Sequence, residues 1–83
     1  MRRPSVHRNG SSRDHLLDGY TTAGQAVQDA IRALAECAPN ARDYYPQSEG
    51  AFREACAEHT ARIAHLQAVY AELADLAEGV ADA

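Results

Sequence analysis

An apolar seam with a repeat of 3.5 residues runs through the second half of the chain, from Ser48 to Val80. This is the period of a helix that keeps one side against a partner helix over its whole length. No Pro interrupts the stretch, and most intervening residues are strong helix formers. The seam consists of Phe52, Cys56, His59, Ile63, Leu66, Tyr70, Leu73, Ala77 and Val80. A helix with one apolar side is marginal alone in water, so the pattern predicts another element that covers it.

The first half of the chain carries a matching seam. Ser11 or Ser12 is placed to cap the start of a helix, and Pro39 to end it. Thr21, Thr22 and Gly24 weaken helix propensity locally. Alternatively, Ala23 and Gly24 mark a place where the backbone of another helix comes close. The seam consists of Leu17, Tyr20, Gly24, Val27, Ile31, Leu34 and Ala38, and it is widened by Leu16, Ala23, Ala30 and Cys37.

These two seams predict an all-α protein with helices at about 12–38 and 48–79, joined by a loop at 39–47 and preceded by a flexible basic tail at 1–11. Two helices of similar length with a short connection pack antiparallel, so we expect a coiled-coil-like hairpin within residues 12–83. This arrangement brings the basic start of the chain beside the acidic end of the second helix. It places Arg8 and Arg13 near Glu72, Asp75 and Glu78.

A single hairpin of this size buries too little apolar surface to offset the conformational entropy that its residues lose on folding. Leu16, Val69 and Leu76 also lie off the seams and need cover. We therefore predict a symmetric homodimer that forms a four-helix bundle, with a mixed bundle containing a different protein as the alternative. The residues predicted to mediate self-association are Leu17, Tyr20, Val27, Ile31, Leu34, Ile63, Leu66, Val69, Tyr70, Leu73 and Leu76.

Charge is distributed unevenly along the chain. Residues 1–13 sum to +4 and residues 14–83 to −8, and every basic residue is Arg. The tail predicts an alternative function, a nucleic-acid-binding accessory protein that uses its Arg side chains on phosphates. No apolar run is long enough to span a membrane, and no apolar segment follows Met1–Arg3 as in a secretory signal. We expect a cytoplasmic protein that does not bind membranes.

No motif for catalysis, cofactor binding or metal binding is present, so we expect a protein that is not an enzyme. His59 lies on the seam without the spaced partners that a metal site needs, and there it would set helix register. Cys56 and His59 share a helix face, but a working thiol also needs an orienting group and a pocket. Cys37 and Cys56 both lie toward the loop and are interpreted as reduced, buried thiols, with a disulfide bond as the alternative.

The loop carries the residues that look most functional, Arg42, Asp43, Tyr44 and Tyr45. Tyr and Arg are enriched at binding hot spots because they present large, amphipathic surface, so we predict that these four contact a partner protein. The alternatives are that one Tyr folds back onto Phe52 and that Arg42 and Asp43 form a local pair. The acidic body supports either a solvated surface or a face for a basic partner groove. Its acids include Glu36, Glu49, Glu54, Glu58, Glu72, Asp75, Glu78 and Asp82.

The loop and second helix resemble small, uncharacterised proteins encoded by phages and prophages of GC-rich bacteria. The resemblance is carried by the run from Ala38 to Tyr45, together with Ala51, Phe52, Glu58, His59, Arg62 and Leu66. It implies a phage accessory protein that acts in the host cytoplasm. Small acidic phage proteins often bind and block host machinery, as anti-CRISPR proteins do. The resemblance implies no catalytic or binding residue.

Overall fold

A computed structural model describes all 83 residues and contains three helices and no strand. Helix α1 spans Arg13–Glu36, α2 is a single turn at Ala41–Tyr44, and α3 spans Ala51–Ala81. The prediction of an all-α protein is confirmed, and α1 packs along α3. The segment predicted as a plain loop contains the α2 turn.

One of the two predicted helix starts is correct. Ser12 caps α1, and its Oγ accepts a hydrogen bond from the backbone N–H of His15 at 3.1 Å. In contrast, α3 begins at Ala51 rather than at Ser48, and no side chain caps it. At its other end α1 stops because Pro39 has no N–H to offer the preceding turn. The Cys37 N–H instead turns back to the carbonyl of Leu34 at 3.1 Å.

The two long helices touch in reversed order along the chain. Arg13 donates to the backbone oxygen of Ala83, Gly24 faces Tyr70, and Leu34 meets His59. The Cα radius of gyration is 18.4 Å and the longest dimension is 61 Å. A compact chain of this length would have a radius of gyration of about 12 Å. The molecule is therefore long and thin, with most of its residues at the surface.

The core is a narrow line between α1 and α3. Three residues are buried, namely Gly24, His59 and Val80. Most other seam residues are half-buried, because each helix covers only one side of its neighbour. Gly24 was predicted to allow a close helix backbone, but the group that fills its space is the ring of Tyr70. A Cβ at Gly24 would lie 3.4 Å from Cε2 of that ring.

The basic tail lies against the end of α3. Arg3 forms an ion pair with Asp75, and its aliphatic portion covers Gly79, where a Cβ would come within 3.0 Å of the Arg3 Cδ. Pro4 and Val6 in the same segment are half-buried. The prediction placed Arg8 beside these acids, whereas the structure places Arg3 there. Both partners of the pair are substantially exposed, so the ion pair contributes little to stability.

Candidate interaction surfaces

The two tyrosines of the loop have different environments. The Tyr44 ring packs against Phe52 with ring centroids 6.5 Å apart, so one tyrosine does fold back onto the start of α3. Tyr45 is 77% exposed and projects into solvent. The packed Tyr44 ring fixes the position of the neighbouring backbone, and the exposed Tyr45 ring offers apolar surface to solvent. Of the four residues predicted to bind a partner, Tyr45 is the one with a free aromatic surface.

Asn40 caps the α2 turn, which immediately precedes Tyr45. Its Oδ1 accepts hydrogen bonds from the Arg42 backbone N–H at 3.0 Å and from the Arg42 Nε at 3.2 Å. The predicted local pair between Arg42 and Asp43 is not formed, because the Arg42 guanidinium bonds Asn40 instead. Both Arg42 and Asp43 are exposed. The α2 turn therefore presents one cation, one anion and one aromatic ring to solvent.

A groove of about 430 Å³ lies at the loop end of the two helices. Its wall includes the apolar side chains Leu34, Pro39 and Tyr44, together with polar side chains from the end of α1, the loop and α3. The polar wall comprises Cys37, Gln47, Glu54, Glu58, His59 and Arg62. Arg62 lies 3.7 Å from Glu58, so its charge is partly offset within the groove. The groove thus carries charges of both signs, two carboxylates and one guanidinium.

His59 bridges the two long helices, which the sequence did not reveal. Its Nε2 lies 2.7 Å from the backbone oxygen of Leu34, and a carbonyl only accepts, so Nε2–H is the donor. Leu34 belongs to the last turn of α1, where carbonyls lack the usual i+4 N–H partner, and its oxygen also accepts from the Cys37 N–H. His59 is 8% exposed and thus caps the end of α1 from inside the interface. No sequence pattern identifies a backbone atom of another helix as the partner.

The two cysteines remain apart and unpaired. Cys56 is half-buried, whereas Cys37 is exposed, which contradicts its interpretation as a buried residue. The Cys37 Sγ lies 3.4 Å from the oxygen of Leu34 and donates to it. The imidazole of His59 uses its Nε2 on the same oxygen.

The residues predicted for self-association lie mainly between α1 and α3. Two of them have substantial exposed area: Val69 is 42% exposed and Tyr70 is 37% exposed. The other nine are half-buried: Leu17, Tyr20, Val27, Ile31, Leu34, Ile63, Leu66, Leu73 and Leu76. A surface for another molecule must therefore consist largely of residues beside the seams.

Comparison with known proteins adds no functional residue to these surfaces. No protein-family model matches the chain, and neither a curated protein nor a solved structure matches it. None of the helices combines the length and apolar character that crossing a membrane requires. No three His, Cys, Asp or Glu side chains are grouped so that they could hold a metal ion.

Proposed function

We propose that this chain is a non-enzymatic interaction protein. In this proposal α1 and α3 form an antiparallel hairpin that self-associates into a four-helix bundle and presents its loop to a different protein. Arg42, Asp43, Tyr44 and Tyr45 make or support that contact. The observation that carries the proposal is the 77% exposure of Tyr45 on a loop whose neighbouring residues are held in place.

The loop has the physical properties of a binding anchor. A tyrosine ring contributes large contact area and loses few rotamers on binding. Binding costs less when the contact residues are already positioned. Here the Asn40 hydrogen bonds and the packing of Tyr44 on Phe52 supply that positioning. Tyr45 can therefore enter a partner pocket without first ordering the loop.

The charge of the chain favours a basic protein as that partner. Residues 14–83 sum to −8, and complementary charge accelerates association and selects partners. Two of the four arginines in residues 1–13 are already engaged within the chain: Arg3 pairs with Asp75, and Arg13 bonds the Ala83 backbone. The tail therefore offers fewer free cations for nucleic-acid phosphates than its composition suggests.

We expect Tyr45→Ala to weaken partner capture by at least about tenfold while leaving circular dichroism unchanged, because the exposed ring touches little of its own chain. The measurement is titration of the captured partner, identified by mass spectrometry after pull-down from bacterial lysate. Tyr45→Phe is the matched control and should retain most binding, since it keeps the ring. Equal capture by Tyr45→Ala and the parent protein would remove the loop from the proposal.

On the resemblance to phage and prophage proteins, we further propose that the partner belongs to host defence, such as a CRISPR effector. Expression of the chain in bacteria with an active CRISPR system should then restore plaque formation by a targeted phage. Tyr45→Ala should abolish that protection at equal protein level. Unchanged phage restriction across representative CRISPR types would exclude this class of target and leave the interaction proposal standing.

A further inference from the structure

A second uncharged seam runs along α1, beside the one that contacts α3. Its steps alternate between three and four, which is again the 3.5-residue period of a helix held against another helix. We call it the α1 strip; it consists of Leu16, Gly19, Ala23, Ala26, Ala30, Ala33 and Cys37. All of its members except Leu16 and Ala23 are exposed. The charged side chains of α1 lie elsewhere on the helix.

Large apolar side chains of α3 continue this surface. A groove of about 370 Å³ joins Leu16, Gly19 and Ala23 of the α1 strip to Leu73. Val69 and Leu76 are four and three residues from Leu73, so they lie on the same side of α3. We call the α1 strip together with Val69, Leu73 and Leu76 the apolar face. Val69 is 42% exposed there.

The opposite side of the helix pair carries more polar side chains on α1. A groove of about 210 Å³ on that side is lined by Thr21, Gln25 and Gln28 of α1. Its other lining residues are Tyr20, Gly24, Tyr70, Leu73, Ala74 and Ala77. Of the two open sides, the apolar face is therefore the one that gains from being covered.

The exposed area matches what a dimer needs. The chain exposes 6255 Å², whereas a folded monomer of 9.0 kDa exposes about 4,900 Å². A standard stable interface removes roughly 800 Å² from each partner. The excess of about 1,400 Å² is thus large enough to supply one such interface.

We propose that a second copy of this chain docks on the apolar face in antiparallel orientation, α1 against α1 and α3 against α3. The two-fold axis passes near Ala26 and Val69. Ala26 is the middle residue of the α1 strip, and the contact between Gly24 and Tyr70 places it at the height of Val69. The proposal rests on the self-association proposed above and names its surface. The small residues of the strip let the two α1 backbones approach closely.

Charges at the edge of the apolar face select the antiparallel orientation. With the axis near Val69, His65 of one copy lies opposite Glu72 of the other. With the axis near Ala26, His15 lies opposite Glu36 of the second copy. In each case an imidazole N–H can donate to a carboxylate. A parallel two-fold arrangement would instead set α1 of each copy against α3 of the other, and neither of these pairs would form.

The first test is sedimentation equilibrium of the full chain and of two variants in which an exposed alanine is replaced by glutamate. The parent protein should sediment at twice its mass of 9.0 kDa. Ala26→Glu brings two carboxylates together at the axis and should raise the dimer Kd by at least about 100-fold. Ala64→Glu is the matched control, since Ala64 is equally exposed but lies on the outer side of α3, away from the apolar face. It should leave the dimer unchanged.

The second test does not depend on disrupting the dimer. In a Cys37→Ser, Cys56→Ser background, Val69→Cys lies at the axis and should form a disulfide-linked dimer on mild oxidation, because the two thiols come within bonding distance. Ala64→Cys should stay monomeric on a non-reducing gel.

The possible results separate the two proposals. A monomeric parent overturns self-association altogether. If the dimer persists in Ala26→Glu, or if Ala64→Cys and not Val69→Cys forms a disulfide-linked dimer, the apolar face is not the dimer interface, although the protein does self-associate. Covalent dimers of Val69→Cys together with dissociation of Ala26→Glu support it. Tyr45→Ala should remain dimeric, so its loss of partner binding can be measured without any change in the oligomeric state.

Discussion

Replacement of His59 by alanine is expected to lower the free energy of unfolding by about 3 kcal/mol. The substitution removes the donor that reaches the Leu34 carbonyl from α3, found at 2.7 Å, and leaves a gap at a residue that is 8% exposed. For a chain of this size the melting temperature should fall by on the order of 15 °C. Thermal denaturation followed by circular dichroism at fixed protein concentration measures it.

His65→Ala is the matched control for this prediction. His65 is exposed on the same helix, so its replacement should shift the free energy of unfolding by no more than about 0.5 kcal/mol. His59→Gln should recover part of the loss, because the glutamine amide can still donate to a carbonyl. If the His59→Ala and His65→Ala variants melted together, the interhelical hydrogen bond would not stabilise the packing of α1 on α3.

The second large effect is expected at Gly24, where two substitutions should act in opposite directions. Gly24→Ala should stabilise by up to about 1 kcal/mol, because its Cβ would meet Tyr70 Cε2 at 3.4 Å, an ordinary contact, while helix propensity improves. Gly24→Leu should destabilise by about 2 kcal/mol, since a branched side chain cannot share that space with the ring. Chemical denaturation of both variants measures the two changes.

A double mutant isolates the cause of the loss at Gly24. Tyr70→Ala removes the ring, so Gly24→Leu should cost much less in that background than in the parent protein. Gln25→Leu provides a control for adding leucine to an exposed position of α1 and should be nearly neutral. Equal costs of Gly24→Leu with and without the Tyr70 ring would contradict steric conflict as the reason.

These two positions show how the α1–α3 contact is assembled. One small residue admits a ring from the other helix, and one polar side chain reaches across to a backbone carbonyl. Neither contact needs a deep core, which suits a chain in which three residues are buried. The thinness of this core is also the physical reason for expecting a second copy on the apolar face, since a pair of helices alone covers only part of its apolar surface.

For the loop, the sequence predicts aromatic surface but leaves the roles of the individual residues open. The pattern of Tyr44 followed by Tyr45 predicts aromatic surface near the loop. The structure assigns Tyr44 to packing on Phe52 and exposes Tyr45. That division follows from the α2 turn, whose cap at Asn40 also draws Arg42 away from Asp43. Such a short turn depends on local hydrogen bonds that composition does not specify.

By itself the sequence determined that this protein is helical, and it located both long helices to within three residues. The 3.5-residue period, the strong helix formers and the break at Pro39 are properties of neighbouring residues, so they can be read without coordinates. Only the tertiary structure decided that His59 bonds Leu34, that Tyr70 fills the space at Gly24, and that Arg3 rather than Arg8 reaches Asp75. Each of these joins residues far apart in the chain, and their meeting depends on the register and rotation of α1 against α3, which periodicity alone leaves free.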